Sequence, residues 1–249
     1  MLPRVFLDEM GEVGKDLIIG GEDGHHFARV LRVQPGEPIV LALTNGPWLG
    51  AISDVGSKDI TVRLNEPYRP AEPKTLVTIV QGLAKGDKME TIVQKCTELG
   101  AHMFVVYEAD RSVVRLQGKV DNKLGRWQKV AREAAMQSQR DRVPCVQYER
   151  NLNSLCQELI REGVTHFVVL DEAEQATGIA ASLRSIGDKT NHRALFIGPE
   201  GGWSERERAL LLEFDETSLV TLGPRILRTE TAGSAGLAVT LAHFGDMGG

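Results

Sequence analysis

Phe196-Ile197-Gly198-Pro199-Glu200-Gly201-Gly202-Trp203-Ser204-Glu205-Arg206-Glu207 joins an apolar run, a glycine-rich turn and a charged helix start. The apolar run is short and does not alternate, so it reads as a strand buried on both faces. Ser204 and Glu207 stand at the S-x-x-E spacing of a capping box, in which each side chain satisfies the other's orphan backbone N–H. Strand, turn and helix in that order make one unit of an alternating α/β chain. The three glycines let backbone N–H and C=O groups approach a ligand closely. The carboxyl ends of parallel strands are where such sheets bind ligands. The glycine spacing is neither the dinucleotide fingerprint nor a P-loop, so nicotinamide and nucleotide-triphosphate chemistry lose support. Gly82-Leu83-Ala84-Lys85-Gly86-Asp87-Lys88 also fails as a P-loop, having the wrong spacing and no Ser or Thr after the lysine.

Outward from this stretch the same alternation continues. Strands are predicted at 76–83, 104–107, 143–148, 166–170, 194–198 and 218–222. Helices are predicted at 88–99, 122–140, 152–162, 179–186, 205–214 and 231–244. Pro144 places the third of these strands near a sheet edge. The fold class that follows is α/β with a mainly parallel sheet covered on both faces. Leu222-Gly223-Pro224-Arg225-Ile226-Leu227-Arg228-Thr229-Glu230-Thr231-Ala232 leads from the last strand into the last helix. Charged residues held on a loop by a rigid scaffold mark it as a second functional candidate. The last helix carries Ala232, Gly233, Ser234, Ala235, Gly236 and Ala238. Glycine inside a helix costs about 1 kcal/mol relative to alanine, so close packing or threading must hold this helix in place.

Residues 1–66 read as mostly β, with apolar runs at 5–7, 17–19, 39–41, 48–52 and 61–64. Asn45-Gly46 is a type I′ hairpin signal. One helix, from about Glu22 to Val33, interrupts the strands. It places Phe27, Val30 and Leu31 on one face and His25, Arg29 and Arg32 on the other. A small β-barrel with one inserted helix fits the pattern. Residues 66–74 hold three prolines and read as a stiff linker. Two domains result, at 1–70 and 74–249.

The chain has 249 residues, of which 42% are hydrophobic and 25% charged. Such a composition argues for a folded protein. No apolar run approaches the ~20 residues of a membrane span, and the N-terminus has no signal-peptide core. Cys96, Cys145 and Cys156 are scattered, so neither a disulfide framework nor a zinc site is expected, and a reducing cytoplasm is the expected compartment. The net charge is −5, yet it is unevenly spread: residues 1–72 carry −4, 73–150 carry +5 and 151–249 carry −6. A local positive field attracts phosphate even on an acidic protein, although a solvated helix face gives the same pattern.

The two loops, Gly-Pro-Glu-Gly-Gly at 198–202 and the 222–232 segment, resemble the signature loops of the ribosomal RNA small subunit methyltransferase E family, within the SPOUT superfamily. The likeness extends to His25-His26-x-x-Arg29-Val30-Leu31-Arg32, Lys85-Gly86-Asp87-Lys88-Met89-Glu90, Gln94-Lys95-Cys96-Thr97-Glu98-Leu99-Gly100, Arg126-Trp127-Gln128-Lys129 and 133–144. Glu108-Ala109-Asp110, ahead of Arg111-Ser112, departs from the family pattern, and the segment after Leu170 matches weakly, which leaves Glu172 without a role. The resemblance implies a PUA-like RNA-binding barrel at 1–70 and a SPOUT domain at 74–249 with a deep trefoil knot. It implies a homodimer that methylates N3 of a uridine in 16S rRNA, with S-adenosylmethionine as cofactor and the small ribosomal subunit as partner.

On that reading the cofactor contacts fall to Leu170, Gly198, Pro199, Glu200, Gly201, Gly202, Leu222, Gly223, Ile226, Leu227 and Arg228. Gly201→Val is expected to block the cofactor by bulk. Arg228 is the expected anion-stabilising group and Glu230 the expected base. Glu230 equally suits a carboxylate at a helix N-terminus beside the macrodipole. RNA contacts are expected from Arg4, His25, Arg29, Arg32, Lys88, Lys95, Arg111, Arg126, Lys129 and Arg140. The sulfonium methyl is already electrophilic, so no metal is required, and no membrane partner is expected. Two alternatives remain open: another SPOUT enzyme that methylates ribose 2′-O, and a non-catalytic RNA-binding ribosome-assembly protein.

Overall fold

The computed structural model describes residues 2–187 and 192–248. They form two compact units, residues 1–72 with 135–143 and residues 73–134 with 144–249. The end residues Met1 and Gly249 of the expected domains lie outside the described residues. No sequence signal announced that 135–143 groups with the first unit.

The first unit is a five-stranded mixed sheet. Its strands are β1 (Arg4–Phe6), β2 (Asp16–Ile19), β3 (Pro38–Leu43), β4 (Gly46–Val55) and β5 (Ile60–Pro67), in the order β1-β3-β4-β5-β2. Only the β1–β3 pair is parallel. Val5, Ile19, Phe27, Ile39, Leu41, Ile60, Val62 and Leu64 fill its core. The β3–β4 turn is not type I′. Its two loop residues are Thr44 and Asn45, and only Gly46, already paired with Leu43, has a positive φ, of 113°. Asn45 is held instead by its side chain, which bonds both the N–H and the C=O of Gly11.

The predicted helix over 22–33 is a short α-helix α1 (Gly21–His25) running into a π-helical stretch at His26–Leu31. Bonds from i to i+5 wind the chain more loosely than the α-helix, so the expected apolar face does not survive. Phe27 is buried, whereas Val30 and Leu31 are exposed.

A buried ion network closes the first unit. Arg4 pairs with Asp141 and donates to the Arg140 carbonyl at 2.9 Å. Glu72 receives Arg140 at 2.5 Å and the Asp141 N–H at 2.9 Å, and Arg142 lies 3.5 Å away. Burial by itself pushes the Glu72 carboxyl up, but the Arg140 bond and charge outweigh it and hold the group below the usual carboxylate range. Arg4 and Arg140 are 4% and 3% exposed. Both were expected on an RNA surface. A guanidinium that deep is neutralised by its carboxylate partners and offers nothing to phosphate. The predicted helix over 122–140 ends early, at Gln137, because Gln139 takes a left-handed φ of 61° and turns the chain.

The second unit alternates as predicted. Its strands are β6 (Leu76–Gly82), β7 (Met103–Tyr107), β8 (Cys145–Glu149), β9 (Phe167–Leu170), β10 (His192–Ile197) and β11 (Thr217–Val220). Its helices are α2 (Lys88–Leu99), α3 (Val120–Gln137), α4 (Leu152–Arg161), α5 (Ile179–Ile186), α6 (Glu205–Leu211) and α7 (Thr229–His243). The six strands are all parallel, in the order β11-β9-β10-β6-β7-β8, with β8, which Pro144 immediately precedes, at an edge.

Every residue of β7, β9 and β10 is buried, the composition expected of strands covered on both faces. The small residues of α7 now have a reason. A Cβ on Gly236 would sit 2.9 Å from Leu195 and 3.1 Å from Leu170, so the helix backbone lies directly on the sheet. Between β10 and β11 the chain crosses over β9. The carboxyl ends of β9, β10 and β11 therefore open on one side of the sheet at a topological switch point, where ligands bind in such folds.

Candidate active site

A cleft of about 880 Å³ opens at that switch point. Three loops line it: 170–175 after β9, 197–203 after β10 and 220–229 after β11, with Lys88 from the start of α2. The two loops singled out from the sequence are joined directly. Thr229 donates its hydroxyl to the Gly198 carbonyl at 2.7 Å. Gln81, at the end of β6, donates in turn to the Thr229 hydroxyl at 2.9 Å.

Neither Gln81 nor Thr229 was picked out by sequence reading. Gln81 had a signal, being a glutamine that closes an otherwise nearly apolar strand. It is fully buried, and its Oε1 has no hydrogen-bond partner among the described residues.

The glycine loop is shaped from behind. A Cβ on Gly82 would lie 2.6 Å from Pro199, and one on Gly198 would lie 3.3 Å from the Gly202 backbone. Trp203 is buried and donates its indole N–H to the Leu170 carbonyl at 3.0 Å, tying the β10 loop to β9. The capping box is present. Glu207 donates its backbone N–H to the Ser204 hydroxyl, and Ser204 donates its own N–H to Glu207 Oε2 at 2.9 Å.

Glu207 does more than cap. It is completely buried, and its Oε1 accepts from the Tyr107 hydroxyl at 2.9 Å and the Asp110 N–H at 2.8 Å. Asp110 accepts from Ser204 and Arg206, each at 2.6 Å. The Arg206 and Ser204 bonds hold its carboxyl below the usual range. The segment that departed from the family pattern is thus bolted to the start of α6.

Of the residues expected at the cofactor, all but Gly201 line the cleft. Gly201 backs onto Arg111: a Cβ there would meet the Arg111 Cβ at 2.9 Å and its carbonyl at 3.1 Å. Bulk at position 201 therefore presses on Arg111, not on a ligand. Arg111 Nη1 donates to the Gly201 carbonyl at 3.2 Å. Glu172, left without a role in the sequence, lines the cleft, with its Oε1 against Gly202.

A compact charge cluster stands at the cleft: Lys88, Glu200 and Arg228 line it, and Glu230 touches both cations without lining it. Lys88 Nζ donates to Glu200 Oε1 at 2.8 Å and lies 3.7 Å from Glu230 Oε2. Arg228 Nη1 lies 3.9 Å from Glu230 Oε1. The Glu200 bond, foremost, raises the Lys88 ammonium above its ordinary pKa. Burial alone would push the Glu200 carboxyl up, but Lys88 and backbone N–H bonds bring it below the usual value.

The remaining expected RNA contacts are dispersed. His25, Arg29 and Arg32 are exposed in the first unit, where Arg29 donates to the Ser57 carbonyl. Lys95 pairs with Glu98, and Arg126 reaches Glu90 at 2.9 Å. Lys129 is exposed on α3. No metal-ligating cluster and no helix long and apolar enough to cross a membrane occur among the described residues.

Comparison with known proteins agrees on what this arrangement is. A family model for the RNA methyltransferase domain matches residues 71–241, and one for the RNA methyltransferase PUA domain matches residues 19–65. A ribosomal RNA small subunit methyltransferase E of Bacillus subtilis is 38% identical over 221 residues, covering 86% of this chain and 85% of the relative. A protein of the same name from Mycobacterium bovis is 32% identical, covering 93% and 88%. The crystal structure of a ribosomal RNA small subunit methyltransferase E from Neisseria gonorrhoeae bound to S-adenosyl methionine superposes with a TM-score of 0.78 at 28% identity, covering 96% of both chains. With a cleft built from the two glycine- and arginine-bearing loops of a parallel sheet, and with the RNA methyltransferase and PUA domain models both matched, this chain belongs to the ribosomal RNA small subunit methyltransferase E family.

Proposed function

We propose that this chain transfers the methyl group of S-adenosylmethionine to N3 of a uridine in 16S rRNA, working as a cytoplasmic homodimer on the small ribosomal subunit. In this reading residues 1–70 are the RNA-binding PUA-like domain, and residues 74–249 are the SPOUT domain with its trefoil knot. The observation that carries the reading is the Thr229–Gly198 bond, which makes one cleft of the two loops and sets Lys88, Arg228 and Glu230 beside it.

The residues present fit the cofactor. Leu170, Leu222 and Leu227 offer apolar surface to an adenine, and Glu172 and Glu200 offer negative charge to a sulfonium and an ammonium. Glu230 Oε2, 3.7 Å from Lys88, has no hydrogen bond among the described residues. When bound, the cofactor supplies a methyl group that is already electrophilic. The chain's own task is to make uracil N3 nucleophilic. Glu230 accepts the N3 proton, and Arg228, at the mouth, steadies the charge left on the ring. Of the RNA-contact residues, His25, Arg29, Arg32, Lys95, Arg111, Arg126 and Lys129 stay in the proposal. Arg4 and Arg140 leave it, because both are buried in ion pairs.

Mass spectrometry of nucleosides from small-subunit rRNA, with and without the gene product, tests the reading. A 3-methyluridine peak that appears only with the protein is the expected result; a 2′-O-methyl nucleoside in its place refutes it. Two substitutions refine the site. Arg228→Ala is expected to lower turnover about 100-fold, the loss typical of one donor to a developing anion, with cofactor affinity held within threefold by calorimetry. Gly82→Val must push Pro199 out of place, since its Cβ would fall 2.6 Å from the proline ring. Its expected result is at least a tenfold loss of cofactor affinity, and unchanged affinity would mean the loop is not set from behind.

A further inference from the structure

The two cations beside Glu230 are placed very differently. The Arg228 side chain is 82% exposed, whereas that of Lys88 is 26% exposed. Water screens the first far more than the second. An ammonium carries three donors. Glu200 takes one at 2.8 Å, and Glu230 at 3.7 Å is beyond bonding distance. Donors are therefore left over in the cleft, next to a carboxylate oxygen that itself has no hydrogen bond.

The sequence reading gave Lys88 to RNA phosphate. A phosphate at this point would face Glu200 and Glu230 together, and like charges that close repel. A neutral carbonyl that turns negative only during the reaction meets no such repulsion at the start.

We propose that Lys88 is a catalytic residue whose ammonium donates to the uracil carbonyl beside N3 while Glu230 takes the N3 proton. This rests on the uridine-N3 reading above. The N3–H bond breaks, its proton goes to Glu230, and its electron pair stays on the ring, spread over N3 and the two carbonyl oxygens. Lys88 holds that charge. The N3 pair then bonds to the methyl carbon as the carbon–sulfur pair stays on sulfur, and Glu230 returns its proton to water.

Lys88 acts throughout as a cation. The charged groups that face it are Glu200 from the β10 loop, Glu230 from α7 and Arg228 at the start of that helix. Asp87, at the N-cap of α2 beside it, lies 3.6 Å from Arg126.

The test uses Lys88→Met in the full chain. The substrate is small-subunit rRNA transcribed with uridine or with 5-fluorouridine, whose N3 proton is more acidic. Single-turnover rates are measured against pH, and cofactor affinity by calorimetry. The expected result is a rate about 100-fold lower at neutral pH and a rate profile displaced upward by about one pH unit or more, since one unit corresponds to about tenfold. 5-Fluorouridine is expected to recover at least tenfold in the variant and much less in the parent, and cofactor affinity to stay within threefold. Lys88→Arg, which keeps the charge, is expected to retain part of the rate.

An unmoved pH profile, with a raised and strongly salt-dependent KM, would return Lys88 to phosphate binding and overturn the proposal. A tenfold or greater loss of cofactor affinity, or no selective recovery with 5-fluorouridine, would overturn it as well. If the parent protein makes no 3-methyluridine, the underlying reading is what fails. If the parent makes it and the variant's profile is unmoved, only the role of Lys88 fails.

Discussion

Glu230→Gln is expected to lower the single-turnover methylation rate about 10²–10⁴-fold, the range lost when a positioned general base is removed. Cofactor affinity should change by less than threefold. Glu230 is the second residue of α7, so its carboxylate also sits well at a helix N-terminus. Such a placement is worth about 0.3–1 kcal/mol of stability and nothing in rate. The two roles therefore predict different measurements. Glutamine keeps the shape and removes the proton acceptor, so a folded variant with near-parental turnover leaves only the helix role. The surroundings set Glu230 against two cations. The Glu230 side chain is 19% exposed, faces the cleft cations Lys88 and Arg228, and has an Oε2 without a hydrogen bond among the described residues.

Glu207→Ala has the largest expected effect on stability. The fully buried carboxylate accepts from Tyr107, Asp110 and Ser204. Its removal strands three donors, each at a cost of about 1–3 kcal/mol when buried and unsatisfied. Allowing for relaxation, a loss of about 3–5 kcal/mol is expected. At about 2–4 °C per kcal/mol for a unit of this size, the thermal midpoint falls by about 6–20 °C. Glu207→Gln should cost about 1–3 kcal/mol. An amide keeps its oxygen toward Tyr107 and Asp110 but then points its NH₂ at the Ser204 N–H, or the reverse. Urea unfolding of both variants checks the order. A loss below about 1 kcal/mol for the alanine variant would show that the network carries no weight. The glycine loop hangs from this network, so the glutamine variant should also bind the cofactor more weakly.

Much of the second unit was legible because its signals are local. Buried strands read as short apolar runs, Pro144 marked an edge, and Ser204 with Glu207 marked a helix start from side chains three residues apart. The glycine and arginine loops stood out by composition alone. Legibility failed where a residue's partner is distant in the chain. Glu207 was readable as a cap, but its bonds to Tyr107 and Asp110 span about a hundred residues. Arg4 and Arg140 looked like basic surface because nothing nearby in sequence shows that Asp141 and Glu72 enclose them. Gly201 looked like ligand-facing glycine, yet Arg111 occupies its open side. The N-terminal helix misled for another reason: its π-helical stretch abandons the spacing on which its apolar face was assigned.

The order of strands and helices, the class of fold, the two loops and the family were set by the amino-acid sequence alone. The elements and fold class depend on backbone propensity and hydrophobic period, which act over a few residues, whereas the family rests on the resemblance carried by the two loops and the motifs around them. Which side chains share the cleft was decided only by the tertiary structure. The strand order carries β10 past β9 to β11, and that crossover brings Gly198 to Thr229 and Lys88 to Glu230. Coulomb and hydrogen-bond energies depend on distance in space. Sheet packing fixes that distance, and separation along the chain does not.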